Sequence, residues 1–177
     1  MFLGLDISTS ITGVSLINEK GEVLLCDHID TRKAKSFFEK AELVKQYFKN
    51  HKHTQATVKE IWVEQSLQTF RSGFSSAQTL STLARFNGVV SWIAYKFYSL
   101  EPNYIAASSA RKLSGITIKR GEKAKEKVFK FLLDNEPAFE VEYTKHGNPR
   151  PGYYDRADSL IIAKAARELW KQKNLIS

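Results

Sequence analysis

The chain has 177 residues, 42% of them hydrophobic and 26% charged, which suits one domain, 1–177, able to bury a core without disulfide or metal staples. Its 27 Lys and Arg against 19 Asp and Glu leave a formal net charge of +8, which favours an anionic partner such as nucleic acid or an acidic membrane surface. The single Cys26 excludes an intramolecular disulfide and a paired-cysteine zinc site, no apolar run is long enough for a membrane span, and the start of the chain has no basic segment of the signal-peptide type.

Residues 2 to 29 read as three short strands forming an antiparallel meander. They are Phe2 to Asp6, Ile11 to Leu16 after a Ser/Thr-rich turn, and Val23 to Ile29 after the turn Asn18-Glu19-Lys20-Gly21. From Lys33 to about His51, Phe37, Phe38, Ala41, Val44, Tyr47 and Phe48 recur at helical spacing opposite Lys and Glu, the pattern of an amphipathic helix. Ile61-Trp62-Val63 is a short, β-branched run that suits a buried strand ending at Glu64. A long helix is predicted over Ser75 to Leu100, stopped by Pro102, and then a strand over Tyr104 to Ala107. Helical segments follow at Ser109 to Leu113 and Glu122 to Leu133. The stretch from Pro137 to Gly152 holds three of the four prolines and reads as a loop, and a last helix runs from about Tyr154 to Lys173. This order predicts an α/β fold with a mixed sheet and helices on both faces, because each strand-helix-strand crossover returns parallel to its neighbour.

Four carboxylates fall at informative places. Asp6 and Glu64 close apolar strand runs, and Asp155 and Asp158 open the last helix one turn apart on one face, where their repulsion is unfavourable unless a cation offsets it. Strand ends and a helix start can meet at one sheet edge, and four carboxylates there make an oxygen-rich site suited to Mg²⁺ or Mn²⁺. Two such ions, roughly 3.5 to 4 Å apart, would activate a water on one side of a phosphodiester and stabilise the departing 3′ oxygen on the other. Each residue also has an ordinary structural reading: Asp6 as the first residue of an Asx turn, Glu64 as a solvent-facing strand end, and the Asp pair as acids favoured by the helix dipole.

Leu3-Gly4-Leu5-Asp6-Ile7-Ser8 with Thr12-Gly13-Val14-Ser15, then Ile61-Trp62-Val63-Glu64-Gln65, then Asp155-Arg156-Ala157-Asp158-Ser159-Leu160 resemble, in order, the three acidic motifs of RuvC-type Holliday junction resolvases. Leu83-Ala84-Arg85-Phe86-Asn87-Gly88 is similar to the start of that family's interface helix, and Ala110-Arg111-Lys112 with Gly115 to its basic segment. The resemblance covers nearly the whole chain. It implies an RNase H-like fold with a five-stranded mixed sheet, and two Mg²⁺ per site, with Mn²⁺ as substitute, held by Asp6, Glu64, Asp155 and Asp158. It further implies a homodimer that makes paired nicks across a four-way junction; the lone Cys26 and the absence of a signal-peptide pattern lead to the expectation of an intracellular setting, in the cytoplasm or nucleoid or at a site of viral DNA replication.

Arg111 or Lys112, and Lys123 or Lys125, match the family's phosphate-contacting positions, and a solvated lysine-rich helix face is the alternative for them. Where the family often has an aromatic wedge three positions after the second-motif Glu, this chain has Leu67, with Phe70 and Phe74 nearby as candidate DNA contacts. The segment Tyr143 to Tyr154 is longer than the family pattern; reaching DNA and covering the sheet edge are both open to it. Leu80, Leu83, Val90 and Trp92 are the candidate dimer face, with core packing as the rival.

Competing classes remain. An actin-like ATPase or sugar kinase also has a strand, an Asp and a Ser/Thr/Gly hairpin, but needs two such halves and a second phosphate loop, which do not fit this length. A non-catalytic DNA-binding protein would carry a broken acidic set. Flap or fork nucleases and hybrid-cutting RNases H use the same chemistry with a different binding surface.

Overall fold

The computed structural model describes residues 1–65 and 77–175, with the side chain of His53 excepted. The candidate contacts Phe70 and Phe74, and Leu67 beside them, lie outside the described residues. Within the described residues the order is β1 (Phe2–Asp6), β2 (Ile11–Ile17), β3 (Val23–Asp30), α1 (Phe37–Asn50), β4 (Glu60–Glu64), α2 (Ala77–Tyr98), β5 (Asn103–Ile105), α3 (Ala107–Leu113), α4 (Ala124–Asn135) and α5 (Tyr153–Leu175). A single turn of 3-10 helix, Lys52–Thr54, follows α1.

The described strands form one sheet in the order β3-β2-β1-β4-β5. β1, β2 and β3 pair antiparallel, while β4 lies parallel to β1 and β5 parallel to β4, the mixed sheet that the element order predicts. Its two faces bury separate cores. Leu3, Leu5, Val14, Leu16, Ile61 and Val63 pack with Ala41, Val44 and Phe48 of α1 and with Phe86, Val90 and Ala94 of α2. Phe2, Ile17, Trp62 and Ile105 pack on the other face with Ala110 of α3, Val128 and Leu132 of α4, and Leu160, Ile161 and Ala165 of α5.

Strand parity places the acids. Successive side chains of a strand point to opposite faces. Asp6 therefore shares the α5 face with Phe2 and Gly4, and Glu64 shares it with Trp62. β1 and β4 are in parallel register, Leu5 beside Val63, so both carboxylates emerge at the same edge.

Helix α5 lies directly on this face. A side chain at Gly4 would meet the Ser159 carbonyl and the Ala163 amide, and one at Gly13 would meet the Asp155 carbonyl. The absence of a Cβ at these two positions lets the helix backbone rest on the sheet. A buried hydrogen bond of 2.7 Å between the hydroxyls of Ser15 and Ser159 fixes its register. The ring of Trp170 near the far end packs 5.5 Å from Phe2, so α5 runs antiparallel to β1 and its first turn sits over Asp6.

Boundaries depart from the sequence reading where local chemistry intervenes. Helix α1 starts at Phe37 rather than Lys33, because the Ser36 hydroxyl accepts from the Glu39 amide and the Glu39 carboxylate accepts from the Ser36 amide, a closed capping box. Helix α4 starts at Ala124, not Glu122, whose carboxylate accepts from the Lys119 amide in the preceding turn. β5 covers Asn103–Ile105, and Ala106 becomes the N-cap of α3.

Gly13→Ala should destabilise the protein by about 1–3 kcal/mol, because the added methyl must push α5 off β2. Urea denaturation would measure it. An unchanged midpoint would mean that the helix can lift without cost.

Candidate active site

The turn after Asp6 is built by Ser8. Its Oγ accepts from the amides of Ser10 (3.2 Å) and Ile11 (3.1 Å) and donates to the Ile11 carbonyl (2.7 Å). The Asx-turn reading of Asp6 therefore gives way to a serine-centred turn, and the Asp6 carboxylate faces the start of α5. Glu64 is held at its backbone. The buried Asn87 side-chain amide on α2 donates to its carbonyl (3.1 Å), and the next amide, Gln65, donates to the Ile105 carbonyl (2.8 Å).

Asp6, Glu64, Asp155 and Asp158 form one electrostatic group. Burial pushes the Asp6 carboxyl well above the usual carboxylate range, and repulsion from Glu64, Asp158 and Asp155 adds to it while Lys125 opposes it. Burial, with repulsion from Asp158, pushes Glu64 up to about 7 against the pull of Arg111 and Lys125. Asp155 and Asp158 are raised mainly by burial, and Lys125 is the largest opposing charge on each. Among the described residues no three His, Cys, Asp or Glu side chains form a closed ion-binding cluster. The four acids interact through their charges, and the donor set is all oxygen, the chemistry that suits hard divalent ions.

The candidate cations separate. Lys125 Nζ stands 3.9 Å from Asp158 Oδ2, whose side chain is 19% exposed. Arg111 donates from Nε to the Ala107 carbonyl (2.9 Å) and its charge reaches Glu64 and Asp158. Lys123 instead pairs with Glu126 at 2.9 Å in solvent, and Lys112 is exposed on α3. The geometry thus brings Lys125 and Arg111 to the carboxylates.

The sequence reading missed a brace behind the Asp pair. Arg156 donates from Nε to His28 Nδ1 (2.8 Å) and from Nη2 to Asp27 Oδ1 (3.0 Å), Tyr47 donates to Asp27 Oδ2 (3.0 Å), and the guanidinium lies 4.6 Å from the Tyr153 ring. Because Nδ1 accepts, the neutral His28 carries its proton on Nε2. The brace ties α5 to β3 and α1. The only signal for it in the sequence is a lone Arg between two acids, which reads equally as surface charge.

Segment 137–152 contains a small hairpin: Tyr143 bridges Pro149, and Thr144 donates to the Asn148 carbonyl (2.8 Å). Its tip, residues 145–148, is exposed. On the candidate dimer face the core-packing alternative holds for Val90, which is fully buried beneath α2 and leaves the dimer set. Leu80 and Leu83 are half-buried, whereas Trp92 (60% exposed), Tyr95 (45%) and Tyr104 (49%) stand out around an open cleft with Gly88 and Pro102. No described helix is long and apolar enough to cross a membrane.

No protein-family model matches the sequence, and no curated protein is significantly similar to it. Solved structures are similar in fold. RuvC from T. thermophilus in complex with a Holliday junction substrate aligns with a TM-score of 0.65 at 14% identity, over 97% of this chain and 94% of that one. Another Thermus thermophilus RuvC structure gives 0.61 at 18% identity, over 97% and 96%. The yeast mitochondrial Holliday junction resolvase Ydc2 gives 0.57 at 19%, over 98% and 80%. The chain therefore has the RNase H-like fold of the RuvC-type resolvases, as the three motifs suggested.

A carboxyl with a raised folded pKa binds its proton more tightly in the folded chain. The stability this gives is present in acid and is lost as pH rises, for Glu64 between 4.5 and about 7. In EDTA the protein should be less stable at pH 8 than at pH 5. Asp6→Asn should raise the thermal midpoint at pH 8, by about 2–4 °C for each kcal/mol of repulsion relieved. Equal midpoints for the variant and the wild type would show that the four charges are not in conflict.

Proposed function

We propose that this chain is a single-domain, metal-dependent endonuclease that cuts four-way DNA junctions as a homodimer. The observation that carries the reading is the gathering of Asp6, Glu64, Asp155 and Asp158 at one sheet edge, mutually repelling and part-buried, with Lys125 and Arg111 beside them. Nothing in the packing of the core calls for four acids there, so their cost points to use. The fold likeness to a RuvC solved on a Holliday junction supports the substrate class.

In this reading the four carboxylates hold two Mg²⁺ ions, with Mn²⁺ as a substitute. Bound there, the ions supply an activated water and charge stabilisation for the departing 3′ oxygen, leaving 5′-phosphate and 3′-hydroxyl ends. Asp6, whose carboxyl is repelled by Glu64, Asp155 and Asp158 alike, would be the ligand shared by both ions. Lys125 and Arg111 hold the phosphate chain against an edge whose acids would otherwise repel it. The Arg156 brace keeps Asp155 and Asp158 turned towards Asp6.

Incubating the wild type and Asp6→Asn with labelled four-way junction, fork, flap and linear duplex in Mg²⁺, Mn²⁺ or EDTA tests the proposal. Symmetric, metal-dependent nicks in the junction are expected, and Asp6→Asn should lose cleavage while binding DNA at least as tightly, because it removes a negative charge facing phosphate. Cleavage confined to flaps or forks would move the substrate within the same chemistry. Binding without cleavage would favour a non-catalytic DNA-binding protein, and an Asp6→Asn protein that cuts normally would overturn the site.

Paired nicks need two sites. The exposed aromatics Trp92 and Tyr95 on α2, with Tyr104 on β5, form the surface that would meet the second copy. Trp92→Glu should convert a dimer to a monomer in analytical ultracentrifugation at micromolar concentration. A wild type that sediments as a monomer would exclude the paired-nick form of the proposal.

A further inference from the structure

The carboxylate edge has a second flank, on the opposite face of the sheet from α3 and α4. The link from β3 to α1 and the first turns of that helix carry Arg32, Lys33, Lys35, Phe37, Phe38 and Lys40. They sit at this edge by register: Asp30, the last residue of β3, pairs with Ile11, which opens β2 just after the Asp6 turn. Thr31 is fully buried, and its hydroxyl lies 3.1 Å from the Thr9 carbonyl and 3.0 Å from that of Ser10, while Lys40 Nζ donates to the Thr9 carbonyl (2.5 Å). Arg32 is fixed on Asp30 by contacts of 2.9 and 2.6 Å, and its charge is among those that oppose the burial raising the Asp155 carboxyl.

The two phenylalanines divide. Phe37 turns inward, 5.4 Å from the Phe86 ring, whereas Phe38 is 75% exposed and stands in an open depression with Lys33, Ala34, Ser36 and Leu43. The acids of the depression are already engaged, Glu39 in the capping box and Glu42 with Lys45 at 3.0 Å. Lys33 and Lys35 are exposed, and among the described residues no acid pairs with either side chain. Free cations around a bare aromatic ring, continuous with an acidic edge, match a nucleic-acid strand, which offers phosphates to the lysines and a base face to the ring.

We propose that this flank binds the DNA strand that leaves the cleavage site on the α1 side, with Lys33 and Lys35 on phosphates and Phe38 stacked on an unpaired base. The proposal rests on the nuclease reading and adds to it a surface that the three acidic motifs do not contain. A strand crossing the edge is then held from both faces of the sheet, by Lys125 and Arg111 on one side and by this segment on the other.

The test is binding of a fluorescent four-way junction in EDTA at several salt concentrations, using the full chain. The variants are the double substitution Lys33→Gln with Lys35→Gln, Phe38→Ala, Phe38→Trp, and Lys49→Gln at the far end of α1 as control. All these side chains are exposed, and a thermal melt verifies that each variant folds. The double variant should bind more weakly and flatten the slope of log affinity against log salt by about 1.5–2, close to 0.9 for each phosphate no longer neutralised. Phe38→Ala should weaken binding about tenfold with the slope unchanged, and Phe38→Trp should restore it. If Lys49→Gln weakens binding as much as the double variant, or if the double variant and Phe38→Ala bind like the wild type, the flank is not a strand site. A wild type that binds no branched DNA overturns the nuclease reading itself, and this inference with it.

Discussion

The rest of the structure depends on the direct contact of α5 with β1 and β2. A helix normally stands off a sheet on its side chains, but Gly4 and Gly13 present none on this face, and the α5 backbone comes down onto the strands at Ser159, Ala163 and Asp155. The hydroxyl pair of Ser15 and Ser159 then leaves one register open to it. Helix position decides where the Asp155 and Asp158 side chains lie, so these small residues place half of the carboxylate group without belonging to it. The apolar spine of α5, Leu160, Ile161 and Ala165, supplies the burial that keeps the helix seated.

That seating works against electrostatics. All four carboxyls are raised, each first by burial, and Asp6, Glu64 and Asp158 carry the added repulsion of neighbouring acids. A fold selected for stability alone would place Asn or Ser at these positions. Packing wins because the repulsion is distributed over a part-buried edge, where water and Lys125 screen it, while the opposing apolar contacts are fully buried. The edge is thereby poised for a positive ligand, which would turn the least favourable charge arrangement in the chain into a favourable one.

Much of this can be read from the sequence because its signals are local. The meander and β4 follow from short apolar runs bounded by turn residues, the long helices follow from the 3.6 period, and the positions of Asp6 and Glu64 at strand ends follow from where the apolar runs stop. What the period does not state is which face a strand-end residue takes in three dimensions. Parity settles it only when α5 is known to cover Phe2, Gly4 and Trp62. The brace of Arg156 with Asp27 and His28 is illegible for the same reason, since its members are separated by more than a hundred residues and no local pattern links them. Val90 reads equally as dimer face or as core and is core; the sequence leaves this open because α2 carries apolar residues around most of its circumference, and a period cannot choose between a core face and an exposed aromatic one.

The placing of Arg156 between two site acids follows from helix geometry. At about 100° per residue, Asp155 and Asp158 lie about 60° apart, whereas Arg156 is turned about 100° from the first and about 160° from the second. It cannot neutralise the pair across its own helix, and the structure uses it on the β3 side instead. The positive charge for the Asp pair must then come from other elements, and it does: Lys125 lies in the first turn of α4, Arg111 lies on α3, and both helices pack on α5 through Val128, Leu132 and Ala110. The charge balance of the site is therefore set by tertiary packing. Loosening α3 or α4 would disturb the carboxylates even with every acid in place.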